Sequence, residues 1–191
     1  VIPDPARTSS DTLARHGFDE PEASAAALAQ LGAWPPSAVL GGHRLLAEVA
    51  GSAHPDLAAR ALAAIAAARA DPDAFAALLR RRPGFRRRLV AVVGASRSMG
   101  AWLAAHPEEA DRLVHGRACM EPRSRGELVA EARATVARHD DPAGAWDALR
   151  RFKRRELVRI AVRDLTARAR LAGGPGAGAD AAPVGRAPEG V

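Results

Sequence analysis

Cysteine is nearly missing from this chain. Cys119 is the single one among 191 residues, so an intramolecular disulfide and a cysteine zinc cluster are both excluded. That scarcity fits a reducing compartment, and the expected localisation is cytoplasmic. Tyrosine is absent and aromatics make up only 4%. The core must therefore be aliphatic, with few large anchors. Lysine is reduced to Lys153, so nearly all positive charge is arginine. No apolar run approaches the ~18 residues that a membrane-spanning helix needs. Residues 1–10 contain Pro3, Asp4 and Pro5 rather than a basic stretch followed by an apolar one, which is not the layout of a signal peptide.

What the chain has is alanine and arginine. Hydrophobic residues reach 48%, enough for a packed core, but much of that is alanine, which favours helix and buries little area. The net charge is +6. A basic balance can attract nucleic acid, acidic proteins or phosphates. Abundant Ala, Arg, Gly and Pro beside one lysine is also the composition of GC-rich coding, which accounts for the charge without a partner.

Helix punctuation recurs along the chain. Ser10 can cap a short helix that Gly17 ends, and Asp19-Glu20-Pro21 opens one that Gly32 closes. Trp34-Pro35-Pro36 is a connector, and Ser37 starts a helix to Ala50 that Gly41-Gly42 weakens. Further helices open at His54-Pro55 and Asp71-Pro72, the second ended by Pro83-Gly84. Phe85–Val93 follows, then Arg97–Ala105 capped by Ser96, then a short helix from Pro107 to about Val114. Residues 115–123 read as a loop. Ser124 and Glu127 have capping-box spacing, and Asp141-Pro142 begins the longest helix, to about Leu171. No segment alternates with period two, so the expected fold is all-α. The expected organisation is a flexible N-terminus at 1–10, a helical region at 11–171 and a disordered tail at 172–191. Fifteen of the 20 tail residues are Gly, Ala or Pro.

The glycines of Val93-Gly94-Ala95-Ser96-Arg97-Ser98-Met99-Gly100 imitate the dinucleotide-binding turn of short-chain dehydrogenases. Ser98 stands where a glycine is required, and helical pattern rather than a strand precedes the turn. A helix-to-helix turn capped by Ser96 is the better reading. The six histidines (16, 43, 54, 106, 115 and 139) form no i,i+4 pair and no metal-ligand spacing. Arg80–Arg82 and Arg86–Arg88 form one basic cluster. Residues 150–170 form a second, with nine basic residues against Glu156 and Asp164. Neither carries a helix-turn-helix signature, a zinc knuckle or stacking aromatics, so an arginine-rich nucleic-acid binder is a subordinate reading.

In the last helix Trp146, Leu149, Leu157, Ile160 and Leu171 fall within about 80° of one another, which predicts the buried stripe. Lys153 and Asp164 share it, at a cost unless paired. Asp164 could reach Arg168, and Glu156 could reach Arg159. The stripe reads either as one core face or as a docking face whose partner is missing.

The segment from Leu149 through Arg150-Arg151-Phe152-Lys153-Arg154-Arg155-Glu156-Leu157 to Asp164-Leu165 resembles the one that precedes the nucleotidyltransferase core of glutamine synthetase adenylyltransferases. Leu13-Ala14-Arg15-His16-Gly17-Phe18, Pro55-Asp56-Leu57-Ala58, Val93–Arg97 and His106-Pro107-Glu108 are similar to that family too, so the resemblance covers about residues 11–167. It implies a bifunctional enzyme that transfers AMP from ATP to a tyrosine of glutamine synthetase and removes it by phosphorolysis. Magnesium and ATP are its implied cofactors, and glutamine and the PII signalling protein its implied regulators. The opening run implies the N-terminal, AMP-removing half. The family's Gly-Ser-Asp-x-Asp strand does not occur in this sequence, and His54 stands where an acidic residue is usual. The expectation is a truncated N-terminal helical region, inactive alone, with glutamine synthetase as its partner. No residue is assigned as catalytic, cofactor-binding or metal-binding. The alternative is a freestanding helical interaction module.

Overall fold

A computed structural model describes residues 11–35 and 41–171, and among the described residues there are helices and no strand. The expectations for residues 1–10 (with the Ser10 cap), Ser37 and the 172–191 tail lie outside the described residues. The elements are α1 (residues 11–15), α2 (Pro21–Gln30), α3 (Gly42–Ala50), α4 (Pro55–Ala67), α5 (Pro72–Arg81) and α6 (Pro83–Ala95). They continue with α7 (Arg97–Ala105), α8 (Pro107–Asp111), a 3-10 turn (Arg112–Val114), α9 (Gly116–Met120), α10 (Arg125–Val136) and α11 (Pro142–Leu171).

Local chemistry sets these bounds. Proline stands in the first turn of α2, α4, α5, α6 and α8, where its missing N–H costs nothing. Asp71 caps α5 by accepting from the Ala74 amide at 2.8 Å. Ser96 caps α7 by accepting from Met99 at 3.3 Å, so the glycine-bearing segment is a helix-to-helix turn. Ser124 and Glu127 complete a capping box on α10. Gly32, at φ 61°, ends α2 in the left-handed region that glycine enters without strain.

Three boundaries differ from the sequence reading. Gly41, at φ 83°, is the N-cap of α3, so the glycine pair opens that helix instead of weakening its middle. Pro83-Gly84 begins α6 rather than merely ending α5, because proline suits the first helical position. The 115–123 loop contains α9. Its Cys119 is buried, and this tucks the segment into the core as a helical turn.

α4 lies at the centre, against α2, α6 and α7. Its buried face is mostly small (Ala58, Ala59, Ala63, Ala66), with Leu62 and Ile65 as anchors, so its neighbours approach closely. α6 brings Phe85, Leu89, Val92 and Val93 to the same core. α11 packs on α6, α9 and α10, but not by the stripe expected from hydrophobicity. Trp146 is 61% exposed, Leu157 40% and Ile160 37%. The face turned inward carries Ala148, Phe152, Glu156, Val158 and Val162. Lys153 and Asp164 lie in solvent, so their charges carry no burial cost.

Candidate functional site

The inward face of α11 is polar at its middle, and there it meets α8, α9 and α10 around a cavity of about 230 Å³. Trp102, Leu113, Cys119 and Val158 supply its apolar wall. The rest is four guanidinium groups facing three carboxylates. Arg123 forks between two of them, with Nη1 to Glu156 at 2.8 Å and Nη2 to Glu131 at 2.5 Å. Glu156 also accepts from Arg159 Nε at 2.9 Å, and Arg159 donates to the Glu121 carbonyl at 2.6 Å. Arg155 joins Glu131 to Glu109, at 3.6 and 3.1 Å, and Arg112 closes on Glu109 at 2.8 Å.

The cluster is a continuous chain of charge-assisted contacts, each carboxylate held by two arginines. Burial alone would lower the pKa of Arg123. Its hydrogen bond to Glu131 and the charges of Glu156 and Glu131 outweigh that and raise it. Cys119 donates from Sγ to the Arg112 carbonyl at 3.3 Å, and burial pushes its thiol up despite nearby Arg88 and Arg159. The expected Glu156–Arg159 pair is present. Asp164 instead lies beside Arg163, at 3.5 Å. Sequence reading missed the cluster's other members, because Glu109, Arg123 and Glu131 sit 25 to 47 residues before Glu156 and share no local pattern with it.

In the first arginine cluster Arg81 and Arg82 are exposed, while three others are tied down within the fold. Arg80 donates to the Leu31 carbonyl, and Arg86 is buried against Glu48 at 2.8 Å with a further bond to Leu79. Arg88 reaches the carbonyls of Leu113 and Val114. In the second cluster Arg155 and Arg159 turn inward, while Arg150, Arg151 and Lys153 are exposed. His54 and His106 are N-caps, and His106 stacks on Trp102 at 5.1 Å.

Among the described residues no group of three or more His, Cys, Asp or Glu side chains is placed to hold a metal ion. The three carboxylates that converge are each engaged by arginine. Those three carboxylates are thus not free to hold magnesium, and no step of AMP transfer is assigned to them. Among the described residues no helix is long and apolar enough to cross a membrane.

Residues 86–173, which run from within the first turn of α6 through α11, match the model of the family described as glutamate-ammonia ligase adenylyltransferase. The chain carries a region of this family. Every residue of the arginine–glutamate cluster lies within the matched span. The bifunctional glutamine synthetase adenylyltransferase/adenylyl-removing enzyme of Streptomyces coelicolor is 35% identical over 174 residues, covering 84% of this chain and 16% of the relative. Its namesake in Streptomyces avermitilis is 34% identical over 167 residues, with the same coverage. That of Pseudomonas putida is 30% identical over 125 residues, 64% of this chain and 13% of the relative. The chain thus spans about one sixth or less of the curated relatives it matches. No solved structure matches it.

Proposed function

We propose that this adenylyltransferase-family region serves the control of glutamine synthetase as a helical, non-catalytic element. It docks glutamine synthetase, or packs against a nucleotidyltransferase core of the kind the family resemblance implies. It neither adds nor removes AMP by itself. The observation that carries this reading is the family match over α6–α11 onto a charge cluster whose carboxylates are all occupied by arginines. Phosphoryl transfer needs acidic groups free to hold metal ions against the phosphates. Here they are used to join helices.

The test has two arms. The purified chain is incubated with glutamine synthetase, ATP and magnesium, and separately with adenylylated glutamine synthetase and phosphate. AMP on the synthetase is then read by intact mass spectrometry. The expected result in both mixtures is no change from a protein-free blank, and turnover above the blank overturns the non-catalytic reading. In the second arm the immobilised chain is exposed to purified glutamine synthetase across a salt series. Capture that weakens with salt supports docking; no capture at low salt removes glutamine synthetase as the direct partner.

A further inference from the structure

Five large apolar side chains are exposed among the described residues, and all five stand on α10 and α11 (Val129, Val136, Trp146, Leu157 and Ile160). On α11 the exposed positions include 146, 150, 153, 157, 160, 164 and 167, alternating steps of four and three. That is the period of a coiled-coil seam. The seam is not uniformly apolar. Trp146 is followed by Arg150 and Lys153, then Leu157 and Ile160, then Asp164 and Ala167.

We propose that this seam is an interface with a second copy of the chain, α11 lying antiparallel on α11 with the two-fold axis between residues 158 and 159. In that register Leu157 meets the partner's Ile160, and Lys153 meets the partner's Asp164. Arg150 lies over the partner's Ala167, which leaves room for its guanidinium to stay on Asp147 of its own helix, at 2.9 Å. Just outside the seam, Asp147 flanks the partner's Arg168. Each relation occurs twice by symmetry, as an isologous interface requires.

Other registers fail on charge. A parallel, in-register pair sets Lys153 on Lys153, Arg150 on Arg150 and Asp164 on Asp164. Sliding the antiparallel pair by one heptad in one direction puts Arg150 on Ile160, Lys153 on Leu157 and Trp146 on Asp164, so every charge faces an apolar group. Sliding it the other way puts Ile160 on Asp164. The sequence of the seam is thus complementary to itself in one arrangement. The opposite face of α11 is already covered by α6, α9 and α10, so the seam is the side left for a partner.

The test uses the full chain, whose monomer mass is 19.9 kDa. Sedimentation equilibrium over a concentration series should show the mass rising toward twice that value. Lys153→Asp and Asp164→Lys each create two like-charge contacts in the dimer. Each should weaken association by on the order of tenfold or more. An equimolar mixture of the two variants restores both opposite-charge pairs and should dimerise as the unmodified chain does. The substituted positions are exposed, so far-UV circular dichroism should be unchanged. A chain that stays at 19.9 kDa throughout overturns the proposal. So does a mixture that associates no better than its components, which would point to a different face or to a helix of another protein as the occupant.

Discussion

Gly94 and Gly100 are two halves of the same imitation of a dinucleotide turn, yet each is explained by packing. A Cβ added to Gly94 would lie 2.8 Å from the Ser52 Cβ. Ser52 is pinned there by its bond to the Val49 carbonyl at 2.7 Å, so it cannot easily retreat. A Cβ on Gly100 would lie 3.0 Å from the Ala61 methyl, a milder conflict between two helices. Replacing glycine by alanine in a helix gains about 1 kcal/mol of propensity. At Gly100 that gain should roughly offset the squeeze. At Gly94 overpacking should win, with a net loss of about 1–3 kcal/mol. Urea midpoints of Gly94→Ala and Gly100→Ala, measured side by side, decide this. Equal midpoints would mean that the turn at Ser52 yields and the close approach is not needed.

Among the elements, α11 is held by charge as well as by hydrophobic burial. Two carboxylates in its cluster differ in exposure, and this separates their expected contributions. The Glu156 side chain is 11% exposed and binds both Arg123 and Arg159. Glu131 is 38% exposed and binds Arg123 and Arg155. Removing the charge of Glu156 leaves Arg123 with Glu131 alone and Arg159 with only the Glu121 carbonyl, a loss of about 1–3 kcal/mol. Glu131→Gln removes contacts that water can replace, and should cost about 1 kcal/mol or less. Thermal unfolding of Glu156→Gln and Glu131→Gln checks the order; a larger loss for Glu131 would show that α10, not α11, depends on the cluster. The same residues show what the sequence made legible. Prolines and the caps Asp71, Ser96 and Ser124 are local signals, so most helix starts could be read directly. The inward face of α11 could not, because Arg155, Glu156 and Arg159 score as solvent-facing residues. Their burial depends on Glu109, Arg123 and Glu131, which only the fold brings near. Hydrophobicity therefore pointed to Trp146, Leu157 and Ile160, and the charge cluster went unseen.

At the scale of the whole molecule, the α1–α2 connection is tied to the central helix through one carboxylate. Asp56, in the first turn of α4, accepts from the amides of Asp19 and Glu20 at 2.8 and 3.1 Å and from the Ser24 hydroxyl at 2.6 Å. It thereby fixes the chain entering α2, whose own N-cap Glu20 makes no side-chain cap bond. Burial pushes the Asp56 carboxyl up, but the Ser24 hydroxyl, the two amides and Arg60 outweigh it and hold the pKa below its ordinary 3.8. A lowered folded pKa contributes stability above the unfolded value, which is lost as pH falls through the folded one. Glu48 acts in the opposite sense. Its desolvation outweighs Arg86, the pKa is raised above the ordinary 4.5, and its contribution is full below that value and lost as pH rises through the folded pKa. On acidification the Glu48 contribution therefore grows before that of Asp56 is lost, so from these two groups stability should rise slightly as pH falls toward 4.5 and fall once pH drops below 3.8. Asp56→Asn keeps one acceptor oxygen but not the charge, and should cost about 1–2 kcal/mol at neutral pH. Melting curves from neutral to strongly acidic pH should show the variant and the unmodified chain converging at the acid end, where both lack the carboxylate. A gap that stays constant across the range would mean that Asp56 acts through shape alone and that another carboxylate governs the acid limb.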